Sequence, residues 1–217
     1  MTFTAESVAA ALADVSARIV AAVGTDAVEV LAVTKGFGPE AIVAAAAAGA
    51  FAIGENYVQE LAGKLDALAG HEGLPDVHLI GQLQTNKVRH TVGRVTVYET
   101  VDRDALAIEL AKRVPGARVL IQVDTTEAAG KGGCRLDALD ALVDTVAGLG
   151  LRLEGLMTVG PTSGGPEAAR AGFRAVRAAV DRLGLPTCSM GMSADLEVAV
   201  QEGATRVRVG TALFGSR

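Results

Sequence analysis

Short apolar runs alternate with longer amphipathic stretches along almost the whole chain. The runs are rich in β-branched residues: VEVLAV from Val28, FAIG from Phe51, VHLIG from Val77, VTVYET from Val95, ARVLIQVD from Ala117, LRLEGLMT from Leu151, TCSM from Thr187 and TRVRVG from Thr205. Each reads as a buried strand, which makes eight strands in order. Between them lie helical patterns such as PEAIVAAAAAG, with Pro39 near its start and Gly49 near its stop, and RLDALDALVDTVAGLG, whose Leu and Val spacing leaves one apolar face.

Strand, crossover helix, strand implies parallel pairing. Eight such units without a long linker or a shift in composition predict a closed (β/α)8 barrel of the TIM type, with an open doubly wound sheet as the alternative. A further helix, from about Thr4 to Val23, precedes the first strand and is placed to plug or cover the lower end of the barrel. After the eighth strand only TALFGSR remains, enough for a partial helix, so residues 1–217 read as one domain.

Composition narrows the function classes. Half of the 217 residues are hydrophobic, enough for one sizeable core. A net charge of −5 and only five Phe, two Tyr and no Trp argue against nucleic acid as a partner. The first residues carry Glu6, Asp14 and Arg18 and lack a basic segment before an apolar one, so they do not read as a signal peptide. No run reaches the roughly eighteen apolar residues of a membrane span. A soluble, cytoplasmic protein is expected, with Cys134 and Cys188 as unpaired thiols. His71, His78 and His90 have no ligand spacing, and no metal is expected.

In a barrel of this kind ligands bind at the carboxyl ends of the strands, and phosphate is often held after strands seven and eight. The first strand ends in VTK, putting Lys35 at the rim as a surface charge or a pocket amine. The loop SMGMSADLE after strand seven offers Ser193, either as a helix N-cap or as part of an anion site. After strand eight, Gly210 permits close backbone approach and Thr211 adds a hydroxyl. A Ser–Gly–Thr cradle beside a rim lysine is the constellation for a phosphate-bearing carbonyl cofactor held as a Schiff base. Alternation along TRVRVG turns Arg208 inward, towards a pyridine nitrogen or into a salt bridge with Glu154 or Asp124. Glu55, Asn56, His78, Gln82 and Asn86 also come towards the rim, with Asn56 the strongest candidate for ligand contact.

Taken together, VTK at Lys35, GENYVQE at Gly54, HLIGQLQTNK at His78, GLMTVG at Gly155 and SMGMSADLEVAVQEGATRVRVGTALFG at Ser189 resemble the pyridoxal phosphate homeostasis protein family. The resemblance spans almost the whole chain. It implies an alanine racemase-type barrel without the racemase's second domain. Lys35 would carry pyridoxal 5′-phosphate (PLP) as a Schiff base, Ser193, Gly210 and Thr211 would hold the phosphate, and Arg208 would face the pyridine nitrogen.

The family role so implied is to bind, buffer and deliver the cofactor in vitamin B6 homeostasis, without catalytic turnover, with PLP-dependent apoenzymes as recipients. A monomer is expected. The alternatives are a small racemase-like enzyme, in which Tyr57 would have to reach across the cofactor, and a barrel enzyme for another phosphate ester. One departure lies in VDTTEAAGKGGC, where Asp124 replaces the family's Asn, Glu127 is displaced by one position and Lys131 still precedes a Gly pair.

Overall fold

The computed structural model describes residues 3–126 and 132–215, so Glu127 and Lys131 lie outside the described residues. All eight anticipated strands form: β1 (Glu29–Val33), β2 (Ala52–Glu55), β3 (Asp76–Leu79), β4 (Val97–Val101), β5 (Arg118–Asp124), β7 (Arg152–Met157), β8 (Thr187–Ser189) and β9 (Arg206–Val209). A two-residue strand β6 (Cys134–Arg135), which periodicity cannot reveal at that length, pairs with the end of β5.

Every pairing is parallel, and the sheet closes on itself through β4–β5 and β1–β9. The fold is a (β/α)8 barrel, not an open sheet. Helices α2 (Pro39–Ala47), α3 (Val58–Ala67), α4 (Asp104–Arg113), α5 (Leu139–Gly148), α6 (Arg170–Leu183) and α7 (Leu196–Gln201) supply the crossovers, except that a 3-10 helix, Thr85–His90, joins β3 to β4, and a short α8 (Thr211–Phe214) follows the last strand.

Because successive strand residues face opposite ways, each strand has one row towards the helices and one row into the barrel. The outward row, with Ala32, Ile53, Leu79, Val119, Leu156 and Val207, packs against helix residues such as Ile42, Leu61, Leu110 and Phe173 to form the main core. Each such side chain fully buried contributes about 1.5–3 kcal/mol. The inward row is different. Its apolar part includes the small cluster of Val97, Leu120 and Met157, and the remainder includes His78, Glu99, Ser189, Arg206 and Arg208, all buried.

The opening helix α1 (Ala5–Val23) starts in a reciprocal cap, with Ser7 N donating to Thr4 Oγ1 at 3.1 Å and Thr4 N to Ser7 Oγ at 3.2 Å. It buries Val8, Val15 and Ile19 against the flank made by α2, α7 and α8. The expectation that it covers the lower end is therefore corrected. The four-residue α8 leaves the junction of β9 and β1 short of a full crossover helix, and the apolar stripe of α1 fills that place.

Candidate functional site

The carboxyl ends of β1, β2 and β9 and the loop after β8 surround a cavity of about 520 Å³. Lys35, Asn56, Ser193, Arg208, Gly210 and Thr211 all line it, over an apolar wall that includes Val33, Ile80 and Val159. The described lining residues include two cations and no carboxylate, so the cavity is electrostatically suited to an anion. Its size falls in the range of small-ligand sites.

Lys35 reaches the cavity because β1 alternates. Leu31 and Val33 face in, and Thr34 is held outward by its hydroxyl, which donates to Glu55 Oε1 at 2.6 Å. Gly36 then turns the chain away at φ 77°, a left-handed conformation that other residues adopt at a cost. At the far wall, a Cβ on Gly210 would stand 3.2 Å from Val33 O and 3.3 Å from Val33 Cβ, so any side chain there would crowd β1.

Ser193 is not the N-cap of the following helix. Asp195 occupies that position, and its Oδ1 accepts from Met192 N at 2.6 Å. The freed Ser193 hydroxyl turns instead to α8, where it accepts a long 3.4 Å bond from Ala212 N. That contact brings the loop after β8 against the first turn after β9, beside Thr211. Arg18 of α1 secures the loop from behind, donating to the Ser193 carbonyl at 3.2 Å and to both oxygens of Glu197 at 2.7 and 3.1 Å.

The salt-bridge reading of Arg208 is also corrected. Glu154 pairs with Arg118 at 2.7 Å, and Asp124 accepts from the backbone and hydroxyl of Thr126 at 2.8 and 2.9 Å. Arg208 Nη1 donates to Ser189 Oγ at 2.8 Å and Nη2 to Thr158 O at 2.7 Å. These bonds use two of the guanidinium's five donors. Burial pushes its pKa down, opposed by the charges of Glu99 and Asp195.

Below it, Glu99 accepts from Ser189 Oγ at 2.7 Å, lies 2.7 Å from His78 Nδ1 and pairs with Arg206 at 3.1 Å. Burial alone would raise the Glu99 pKa. The hydrogen bond with His78 and the nearby guanidinium groups of Arg206 and Arg208 outweigh burial and hold it at about 2.

Several rim candidates fall elsewhere. Glu55 is buried outside the barrel wall, paired with Lys64 at 2.7 Å, and His78 is inside the barrel beneath the cavity. Gln82, Asn86 and Tyr57 do not line the cavity, and Tyr57 is 60% exposed. Sequence reasoning missed Ser189, Glu99 and Thr158. A lone Glu within the fully buried strand VYETV was the available signal for Glu99.

Asn56 supplies a test of what the cavity suits. Its Oδ1 is buried and lacks a partner among the described residues, an arrangement that is costly unless a ligand or water completes it. A cavity with a rim amine, two hydroxyls at one end, a buried guanidinium and an unpaired amide oxygen fits a phosphorylated aromatic aldehyde.

The sequence is 41% identical, over 97% of this chain and 96% of the relative, to a pyridoxal phosphate homeostasis protein of Pseudomonas aeruginosa. The chain belongs to the pyridoxal phosphate homeostasis protein family. A second family member, from Aquifex aeolicus, is 39% identical over 89% of each chain. Residues 9–217 also match the family described as alanine racemase, N-terminal domain. Among solved structures, PipY of Synechococcus elongatus with PLP bound aligns with a TM-score of 0.80 and 32% identity, covering 93% of this chain and 100% of that one. Both cysteines of this family member are free and buried, and burial pushes each thiol up to about 11. Among the described residues, no helix is long and apolar enough to cross a membrane.

Proposed function

We propose that this protein binds PLP in the rim cavity and serves intracellular vitamin B6 homeostasis as a carrier and buffer of the cofactor. The observation that carries the reading is the convergence of Lys35, Asn56, Ser193, Arg208, Gly210 and Thr211 on one cavity in a chain of this family. Lys35 supplies the amine for a Schiff base with the cofactor aldehyde. Ser193, Gly210 and Thr211 take the phosphate, Arg208 faces the ring nitrogen, and Asn56 donates or accepts at the ring's edge.

When bound, PLP supplies an electrophilic aldehyde and an electron-accepting ring. Arg208 limits the second property. A guanidinium keeps its own proton and offers hydrogen-bond donors only, so the ring nitrogen facing it is held as an acceptor and draws electrons weakly. The two-base racemase alternative needs an acid or base opposite Lys35, and Tyr57 is exposed outside the cavity lining. On this reading the protein is a carrier, monomeric and cytoplasmic, that hands the cofactor to PLP-dependent apoenzymes.

The test is to add PLP to the purified protein, record the absorption spectrum, reduce with borohydride and locate the modified lysine by peptide mass. An adduct on Lys35 supports the reading. An adduct on another lysine, or none, overturns it.

A further inference from the structure

A second lysine is buried beside the first. Lys64 of α3 is 5% exposed, and its ammonium meets three acceptors: Thr34 O at 2.8 Å, Glu55 Oε1 at 2.7 Å and Glu60 Oε1 at 2.6 Å. Three acceptors match the three donors of an ammonium group. The cluster extends to both sides of Lys35. On one side Thr34 gives its hydroxyl to Glu55 Oε1 at 2.6 Å, and on the other Gly36 N donates to Glu60 Oε1 at 2.5 Å.

These groups belong to β2 and α3, lie on the helix side of the barrel wall and do not line the cavity. Burying a lysine with two carboxylates is a poor way to gain stability, since apolar residues of the same volume often do as well or better. What the cluster does provide is direction. It grips the peptide groups immediately before and after Lys35, at the point where the chain leaves β1 and turns at Gly36. Because Thr34 is pinned outward, strand alternation sends Lys35 inward.

We infer that Lys64, with Glu55 and Glu60, is a positioning residue that aims Lys35 at the aldehyde of the cofactor. The inference rests on the proposed role of Lys35. In the reaction concerned, the Lys35 nitrogen adds to the aldehyde carbon, a C=N bond forms and the aldehyde oxygen leaves as water. A misplacement of about 1 Å in such an attack costs on the order of a hundredfold in rate.

The experiment compares two ligands on the wild type, Lys64→Met, Lys64→Arg and Glu60→Ala. PLP reports reaction with Lys35 through the absorbance change and borohydride trapping. 4′-Deoxypyridoxine 5′-phosphate carries the same ring and phosphate but no aldehyde, so it reports the cavity alone. The expected result for Lys64→Met is adduct formation slowed roughly tenfold or more, with affinity for the deoxy analogue within about twofold of wild type. Lys64→Arg should recover part of the rate.

Parallel losses for both ligands, or an unchanged rate with PLP, would overturn the inference. If Lys64→Met does not fold, Glu60→Ala decides by the same two readouts, since Glu60 lies at the partly exposed end of the cluster. A wild type that forms no Lys35 adduct would instead defeat the underlying assignment of Lys35.

Discussion

Arg208 reaches Glu99 through a single hydroxyl: Ser189 Oγ accepts from Arg208 Nη1 at 2.8 Å and donates to Glu99 Oε2 at 2.7 Å. The guanidinium is thus compensated at one remove. Its negative partner is inside the barrel, below the cavity, while the guanidinium itself lines the cavity wall.

Ser189→Ala removes the bridge and leaves a buried donor and a buried acceptor short of a partner. We expect a loss of about 1–3 kcal/mol in unfolding free energy, measured by urea denaturation. A change below a few tenths would mean that the two groups find each other directly.

Glu99 makes stability depend on acid. Its folded pKa, about 2, is below the ordinary value of 4.5, so its contribution is fully present above about pH 4.5 and is lost as pH falls towards 2. The size is roughly 3 kcal/mol at neutral pH. Urea titrations across that window should show a steeper fall for the wild type than for Glu99→Gln, and parallel curves would contradict the assignment.

Ser193→Ala should weaken PLP retention by about 1–2 kcal/mol through loss of one hydrogen bond to an anion. Binding of pyridoxal, which lacks the phosphate, should change little. Equal losses for both ligands would take Ser193 away from the phosphate.

Arg208→Gln keeps a donor of hydrogen bonds but removes the fixed charge. The absorption maximum of the PLP complex should shift as the ring nitrogen gains freedom to protonate, read by spectrophotometric titration. An unaltered spectrum at every pH would place Arg208 in a structural role only.

The strands could be read from sequence because each is a short β-branched run closed by a turn, and the rim residues followed from where those runs end. Periodicity does not say which of a strand's two buried rows faces the helices. Glu55 and Asn56 are neighbours in sequence, yet one pairs with Lys64 outside the wall and the other lines the cavity. Partner choice was equally hidden. Arg208 and Ser189 are 19 residues apart and Ser189 and Glu99 are 90 apart, distances over which only the closed barrel brings side chains together. Ser193 resembled an N-cap because a serine before an acidic first turn is a local signal, and the pull of α8 is not local.

The placement of α1 bears on how the molecule is made. Helix α1 packs on α2 from early in the chain, but its other partners are α7 and α8, and Arg18 finds Glu197, so its docking is complete only once the last β/α units are made. Contacts this remote in sequence close late in folding and slow it. The wall that carries Lys35 meets the one that carries Ser193 and Thr211 at the same seam. The cavity needs both walls: Lys35 and Asn56 come from the first two strands' ends and Ser193, Arg208 and Thr211 from the last units, so a chain that stops before those units lacks the residues proposed to hold the phosphate.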